Sequence, residues 1–328
     1  MSRRWWLLLG ALLVAALIPL LLGGSGLFER LVHFPPWLLL GMVGMVLLGW
    51  NLNACRLRLL IGRRRLGQRR ALGVVVATEF AICATPGGTG GLLTLLGLLA
   101  RRGIRPAQTT AIFAVDQLTD LLFFLSALIG VALYVVIEAI DLDLGWLVGL
   151  PSLLLVCGFV LLWLVMRHYT RLLQVTGGWL ERLKVRRKAS FGFARRLLHF
   201  RNALIETLRL PRLTLLSVFA LCCMHWMLRY SVLYLAVKGL GAHIDWAWTF
   251  LVQMLSMAAG QLSFLPGGAG GAELTSTALL APLIGKQSAA AAVLIWRFVT
   301  YYFYLIAGFP VFLALAGRTF VKLLYRQR

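Results

Sequence analysis

Six ionisable side chains interrupt long apolar stretches of this sequence: Glu79, Asp116, Asp120, Arg229, Glu273 and Arg297. A charge at the centre of a bilayer costs about 2.5 to 3.5 kcal/mol on insertion scales, so such residues face a protein interior or a water-filled cavity. Asp116 and Asp120 are four residues apart and therefore share one helical face. The set predicts a polar interior, in which Glu79 and the two aspartates favour a cationic ligand and the two arginines an acidic one.

Two glycine-rich sequences, TPGGTGG at 85–91 and LPGGAGG at 265–271, align without gaps at an offset of 180 residues. Proline ends a helix, and glycine permits positive φ and close approach of backbone. Backbone that is not helical survives at membrane depth only when protein buries it or when it lines a water-filled cavity. A second helix starts at each break and directs its free amides there, which predicts an anion site suited to a lipid phosphate. The predicted site residues at the two breaks are Pro86, Gly87, Gly88 and Gly90, and Pro266, Gly267, Gly268 and Gly270.

Glu273 and Arg297 each have two interpretations. Glu273 follows the second glycine-rich sequence within one helical turn, where a carboxylate stabilises a helix start. It also has the position to contact a ligand directly. Arg297 either contacts a ligand or forms a structural ion pair with Glu273.

The composition identifies the kind of chain that positions these residues. Of 328 residues, 60% are hydrophobic and only 13% are charged, with a mean hydropathy of +0.86. Soluble domains have about a quarter charged residues, so this is a polytopic membrane protein of the all-α class. Apolar runs long enough to cross a bilayer predict six full transmembrane helices, at 5–22, 37–60, 108–137, 147–166, 213–237 and 288–317.

Two further apolar regions, 71–100 and 247–284, contain the glycine-rich breaks. Each arm has roughly 15 residues, about 22 Å of helix, which is short of a ~30 Å hydrocarbon core. Both regions are therefore predicted to be re-entrant helical hairpins that enter from opposite faces. The alternative is that each region is a kinked full span.

The basic residues set the predicted orientation. With both termini in the cytoplasm, most of the 33 Lys and Arg residues fall on the cytoplasmic side, as the positive-inside rule requires. The exceptions are Arg30, Lys238 and Lys286 outside, and Arg229 and Arg297 within the membrane. The basic segment 167–212 is expected to lie on an anionic cytoplasmic leaflet.

The offset of 180 residues extends beyond the breaks and predicts an inverted-topology repeat. The first repeat is 1–146, with hairpin 71–100 and long span 108–137. The second is 147–328, with span 147–166, insertion 167–212, span 213–237, hairpin 247–284 and long span 288–317. Inverted repeats around broken helices are typical of secondary transporters, whose substrate site lies near the midplane.

Several function classes lack support in the sequence. The glycine-rich sequences are not followed by the Lys-Ser/Thr pair of a nucleotide-binding loop. No His, Cys or Asp cluster has metal-ligand spacing, so no metal and no cofactor are predicted. The net charge of +22 follows membrane topology, and no nucleic-acid partner is predicted. The sequence is compatible with a homodimer or with a lipid-pathway enzyme as partner.

At these residues the chain resembles a known family. The segment SFLPGGAGGAELTSTALLAPLIGKQSAAAAVLIWRFVTYYFYLIAGFP at 263–310 is similar to the C-terminal signature of the lysylphosphatidylglycerol synthetase transmembrane-region family. TPGGTGG followed by VDQLTDLLFF resembles the family's earlier hairpin and its Glu-Arg-x-x-Asp helix. By motif position Glu273, Arg297 and Asp120 carry over. Asp116-Gln117 stands where Glu-Arg is usual, and Leu93 replaces a frequent carboxylate, so the preference for a lysyl or alanyl headgroup does not carry over.

The resemblance implies a bacterial inner-membrane flippase that moves a phospholipid or a lipid-linked intermediate between leaflets. It implies a stand-alone member without the aminoacyltransferase domain, and therefore not an enzyme of aminoacyl-lipid synthesis. Two alternatives stay open from the residues. One is a non-transporting scaffold of a lipid or glycan pathway that docks through 167–212. The other is an intramembrane enzyme that uses Asp116 and Asp120 on a lipid phosphate.

Overall fold

The computed structural model describes residues 3–24, 26–62, 64–137, 160 and 202–325. Over these residues the chain is helical, and residues 202–208 are a helical segment that precedes α7. The elements are α1 (Arg3–Gly23), α2 (Gly26–Val32), α3 (Pro36–Ile61), α4 (Gln68–Ala84), α5 (Thr89–Ala100), α6 (Pro106–Ile137), α7 (Arg212–Gly239), α8 (Trp246–Leu262), α9 (Gly271–Ile284), α10 (Lys286–Arg297), a π-helix (Phe298–Tyr302) and α11 (Phe303–Tyr325).

Four helices in the described part of the chain are long and apolar enough to cross a membrane. They are Pro36–Ile61, Pro106–Val131, Arg212–Gly239 and Lys286–Leu315, and they fall on four of the six predicted spans. The predicted span 147–166 lies outside the described residues, apart from residue 160, and so does most of the segment 167–212. The count of six spans therefore stays a prediction.

The first predicted span has a different outline from the one expected. Leu13–Gly23 and the short helix Gly26–Val32 meet at an angle of 107°. Gly24 adopts a φ of +61° at the bend, a value that glycine reaches without steric cost. A straight helix over 5–22 is therefore followed by a sharp turn of the chain, which hydropathy alone does not indicate.

Both predicted hairpin regions consist of two short helices around a break. α4 and α5 have 17 and 12 residues, and α8 and α9 have 17 and 14. At 1.5 Å per residue each arm is shorter than a ~30 Å hydrocarbon core. α8 packs against α9, as the two arms of a hairpin must. The helix-break-helix pattern is confirmed, while entry and exit on one membrane face stays a prediction.

The described contacts divide the chain into two units. One comprises Met1–Leu98 and Ala220–Arg328, and the other comprises Leu99–Phe219. This division concerns packing, whereas the predicted repeats at 1–146 and 147–328 concern correspondence between sequences and stay a prediction.

The first unit is held by small residues that let helices approach closely. Ala289–Ala292 of α10 are fully buried, and α10 packs against α1, α2 and α9. α11 packs against α4, where Gly308 meets Phe80 and the carbonyl of Val76. Close packing of this kind is how helices associate where lipid removes the hydrophobic drive between them. α10 and α11 therefore place the residues between them against the hairpins.

In the second unit the long helix α6 carries the two predicted aspartates. Asp116 and Asp120 are both half-buried, as residues on one helical face are expected to be. Thr119 donates its hydroxyl proton to the carbonyl of Asp116 at 2.7 Å. The buried residues of the same helix include Ile112, Val115 and Phe123.

Candidate functional site

The two glycine-rich breaks meet in the structure. Pro86 and Pro266 form an isolated antiparallel backbone bridge, although 180 residues separate them in sequence. We call residues 85–88 the first tip and residues 263–270 the second tip. The breaks that sequence analysis assigned to one site are thus in direct contact.

The two tips share backbone conformation at corresponding positions. Gly87 and Gly267 have φ of +59° and +64°, and Gly88 and Gly268 both have +68°. An L-residue reaches this region only with strain, so the glycines are required by the shape of the tips. This agreement supports the predicted correspondence between the two halves. Gly270 also has a positive φ of +84°, which Gly90 does not share.

The second tip is held by a buried ion pair. Arg297 donates from Nε to Glu273 Oε1 at 2.5 Å and from Nη2 to the carbonyl of Gly267 at 2.9 Å. Glu273 Oε2 accepts the backbone N–H of Gly270 at 2.7 Å, which satisfies an amide at the start of α9. The side chains of Glu273 and Arg297 are 0% and 2% exposed. Helix-start stabilisation and ion pairing therefore both occur, and both carboxylate oxygens have protein donors.

Tyr301 supports the same tip from the π-helix. Its hydroxyl donates to the carbonyl of Pro266 at 3.2 Å, and its ring centroid lies 4.5 Å from the Arg297 guanidinium carbon. A π-helical turn accommodates one residue more than an α-turn and so changes the direction of the side chains that follow. Sequence analysis placed Tyr301 in the aromatic run but did not predict the π-helix, because no local pattern in the sequence identifies one.

We expect Tyr301→Phe to lower the free energy of unfolding by about 0.5 to 1.5 kcal/mol, the net contribution of one hydrogen bond. The ring and its contact with Arg297 remain, so only the bond to Pro266 is lost. Chemical denaturation in detergent micelles measures the change. Tyr234→Phe is the matched control, since the Tyr234 ring contacts Lys238 and its hydroxyl has no hydrogen bond among the described residues. Equal stabilities of the two variants would contradict a supporting role for the Tyr301 hydroxyl.

A second polar cluster surrounds Arg229 of α7. Arg229 Nη1 donates to the hydroxyl of Tyr304 at 2.6 Å, and its guanidinium carbon lies 5.0 Å from the Tyr304 ring centroid and 5.8 Å from that of Trp226. Glu79, half-buried on α4, interacts electrostatically with Arg229 and Tyr304. The structure therefore brings Glu79 and Arg229 into one neighbourhood.

Trp50 of α3 completes this cluster, and sequence analysis missed it. Its ring packs edge-on against Tyr304 with centroids 5.0 Å apart and stacks on Phe303 at 5.6 Å. Tryptophan is enriched at membrane interfaces, whereas Trp50 is near the middle of its span and 3% exposed. That position within the span is the signal that sequence analysis could have used.

α3 and α7 are also joined beside this cluster. His225 Nδ1 lies 3.2 Å from the carbonyl of Gly49, and its Nε2 lies 3.3 Å from the amide nitrogen of Asn53. A carbonyl only accepts, so Nδ1 carries the proton and Nε2 accepts from the amide. The neutral tautomer satisfies both contacts, which accounts for a buried histidine without a catalytic role.

The remaining predicted site residues are placed as follows. Asp116 and Asp120 belong to the second unit and are described within it alone. Among the residues that the structure describes, no group of three His, Cys, Asp or Glu side chains could hold a metal ion. Arg56, counted among the cytoplasmic charges, has a side chain that is only 2% exposed and donates to Asn53 Oδ1 at 3.5 Å.

Comparison with known proteins gives one match. A family model described as the lysylphosphatidylglycerol synthase TM region matches residues 7–308. No curated protein and no solved structure matches the chain.

Proposed function

The chain belongs to the lysylphosphatidylglycerol synthase transmembrane-region family, and from this premise we propose that it moves a phospholipid or a lipid-linked intermediate between membrane leaflets. Membership in this family and the long apolar helices make it an integral membrane protein with a lipid-related function. The proposal includes an inner-membrane location in bacteria, both termini in the cytoplasm, and no catalytic step. It also includes contact of the basic segment 167–212 with anionic lipid.

The observation that carries this proposal is the meeting of the two tips at Pro86 and Pro266. Two helix breaks in apolar sequence come together although each exposes backbone that lipid cannot satisfy. Arms of 12 to 17 residues are too short to serve as ordinary spans. A pair of broken helices from corresponding halves is the usual construction of a transporter's substrate site.

The two tips differ in their surroundings, which suggests where a headgroup passes. The second tip is supported from behind by Glu273, Arg297 and Tyr301. At the first tip Pro86 and Gly87 are exposed, and a Cβ added at Gly87 would meet nothing within 4 Å. We propose that the polar headgroup moves along the first tip while the acyl chains stay in the bilayer.

The full-length protein in vesicles, with phosphatidylglycerol labelled on its acyl chain by a fluorophore, tests this proposal. A membrane-impermeant reductant quenches only label in the outer leaflet, so transport appears as a fluorescence loss beyond one leaflet. We expect faster exchange than in empty vesicles. Absence of exchange for phosphatidylglycerol, zwitterionic and polyprenyl-linked lipids alike would reject transport.

Gly87→Asp and Gly87→Asn form a matched pair for the path at the first tip. Both side chains tolerate the positive φ of +59° better than other residues do, and they have nearly the same shape. Aspartate adds a negative charge where an anionic headgroup would pass. We expect exchange of phosphatidylglycerol to be about tenfold slower with aspartate than with asparagine, as ~1.4 kcal/mol of repulsion implies. Equal rates would place the headgroup path elsewhere.

A further inference from the structure

The two arginines within the membrane helices differ in what their guanidinium groups contact. Arg297 is 2% exposed and is held by Glu273, the carbonyl of Gly267 and the ring of Tyr301. Arg229 is half-buried, and its one hydrogen bond among the described residues is to the Tyr304 hydroxyl. Arg297 is therefore committed to the second tip, whereas Arg229 keeps donors for a ligand.

Trp50 provides an independent observation at the same place. Its indole Nε1 is buried and has no hydrogen-bond partner in the described structure. A buried donor left without an acceptor costs about 1 to 3 kcal/mol, and native proteins keep few of them. The indole faces the Tyr304 hydroxyl, whose oxygen already accepts from Arg229.

The chemistry around the Tyr304 oxygen is one-sided. The Arg229 guanidinium, the Trp50 N–H and the proton of the phenol itself are all donors. Among the contacts described there, none supplies an acceptor for the indole. A group with several acceptor oxygens and a negative charge, such as a phosphate, satisfies all three donors, and charge-assisted hydrogen bonds of this kind are the strong ones.

We propose that Arg229, Trp50 and Tyr304 bind the phosphate group of a membrane lipid. The assignment rests on the proposed transport function for its biological meaning. Glu79 interacts electrostatically with Arg229 and reduces the positive charge of the cluster, so the phosphate is held reversibly, as a transported group must be. Trp226, which also lies against Arg229, provides an apolar wall.

Native mass spectrometry of the full-length protein with phosphatidylglycerol and diacylglycerol of identical acyl chains tests the site. The two lipids differ in the phosphoglycerol headgroup alone. We expect wild type to retain phosphatidylglycerol preferentially, and Arg229→Gln to lower this retention about tenfold or more. Trp50→Phe keeps the ring and removes the N–H, and should lower retention about threefold to tenfold.

Trp37→Phe is the matched control, because Trp37 is 71% exposed and outside the cluster, and it should retain lipid as wild type does. Excess inorganic phosphate should leave the lipid in place. Displacement by inorganic phosphate would overturn the lipid assignment in favour of a free anion. Unchanged retention in Arg229→Gln and Trp50→Phe, or no preference of wild type for phosphatidylglycerol, would overturn the site itself.

Leaflet exchange measured on the same proteins separates the two proposals. If wild type binds phosphatidylglycerol through Arg229 but exchanges no lipid, the site stands and transport is rejected. If wild type exchanges lipid and both variants exchange it equally fast, transport stands and the site is overturned. A thermal melt of each variant shows that it is folded, and Trp50→Phe remains informative if Arg229→Gln is not.

Discussion

Arg297→Met is expected to lower the free energy of unfolding by about 3 to 5 kcal/mol, since it leaves the Glu273 carboxylate buried without its cation. It also removes the donor to the carbonyl of Gly267, so the second tip loses its link to α10. Chemical denaturation in detergent micelles measures the loss. Arg102→Met is the control, because Arg102 is exposed and its substitution should change stability by less than about 0.5 kcal/mol.

The double variant Glu273→Leu with Arg297→Met separates the ion pair from other effects of the substitution. Removing both charges leaves no uncompensated charge in the interior, so the double variant should be more stable than Arg297→Met alone. It should remain less stable than wild type, because the N–H of Gly270 loses its acceptor. A single variant as stable as wild type would show that the pair does not hold the tip.

The helix breaks were predictable because proline and glycine act locally. Pro86 and Pro266, each followed by two glycines, interrupt apolar helices whatever the rest of the chain does. The pairing of Glu273 with Arg297 was predictable as one of two alternatives, since an isolated charge in the membrane is costly. The family was also recognised from these residues, and the match over 7–308 confirms it.

Other features depend on packing that the sequence does not state. The π-helix at Phe298–Tyr302 turns Tyr301 to Pro266, and the need for it arises only when the tip is already in place. Trp50 becomes part of a cluster through Tyr304, which is on a distant helix. Arg56 was assigned to the cytoplasm by its charge, yet its burial depends on how the end of α3 packs.

The two tips show how a repeated element acquires two roles. Their glycines share φ values at corresponding positions, so the backbone turn is common to both. Only the second tip has Arg297 and Tyr301 against it, and only the first has an exposed proline. A fixed tip opposite an open one gives a headgroup a rigid surface to move against.

The difference in support predicts different costs for one substitution at corresponding positions. Gly87→Ala should lower the free energy of unfolding by about 1 to 2 kcal/mol, the strain of alanine at positive φ. Gly267→Ala has the same strain, and its Cβ would also overlap the ring of Tyr301, which should add about 1 to 3 kcal/mol. Denaturation of the two variants in one detergent gives the difference directly.

A double-mutant cycle assigns that difference to Tyr301. Gly267→Ala in a Tyr301→Ala background has room for the new Cβ, so its cost should fall to that of Gly87→Ala. If Gly267→Ala costs the same with and without the ring, the overlap is relieved by movement of the tip itself. The second tip would then be as free as the first, and the contrast between a fixed and an open tip would have to be abandoned. A cost that falls with the ring removed means that Tyr301 holds the second tip in position from behind.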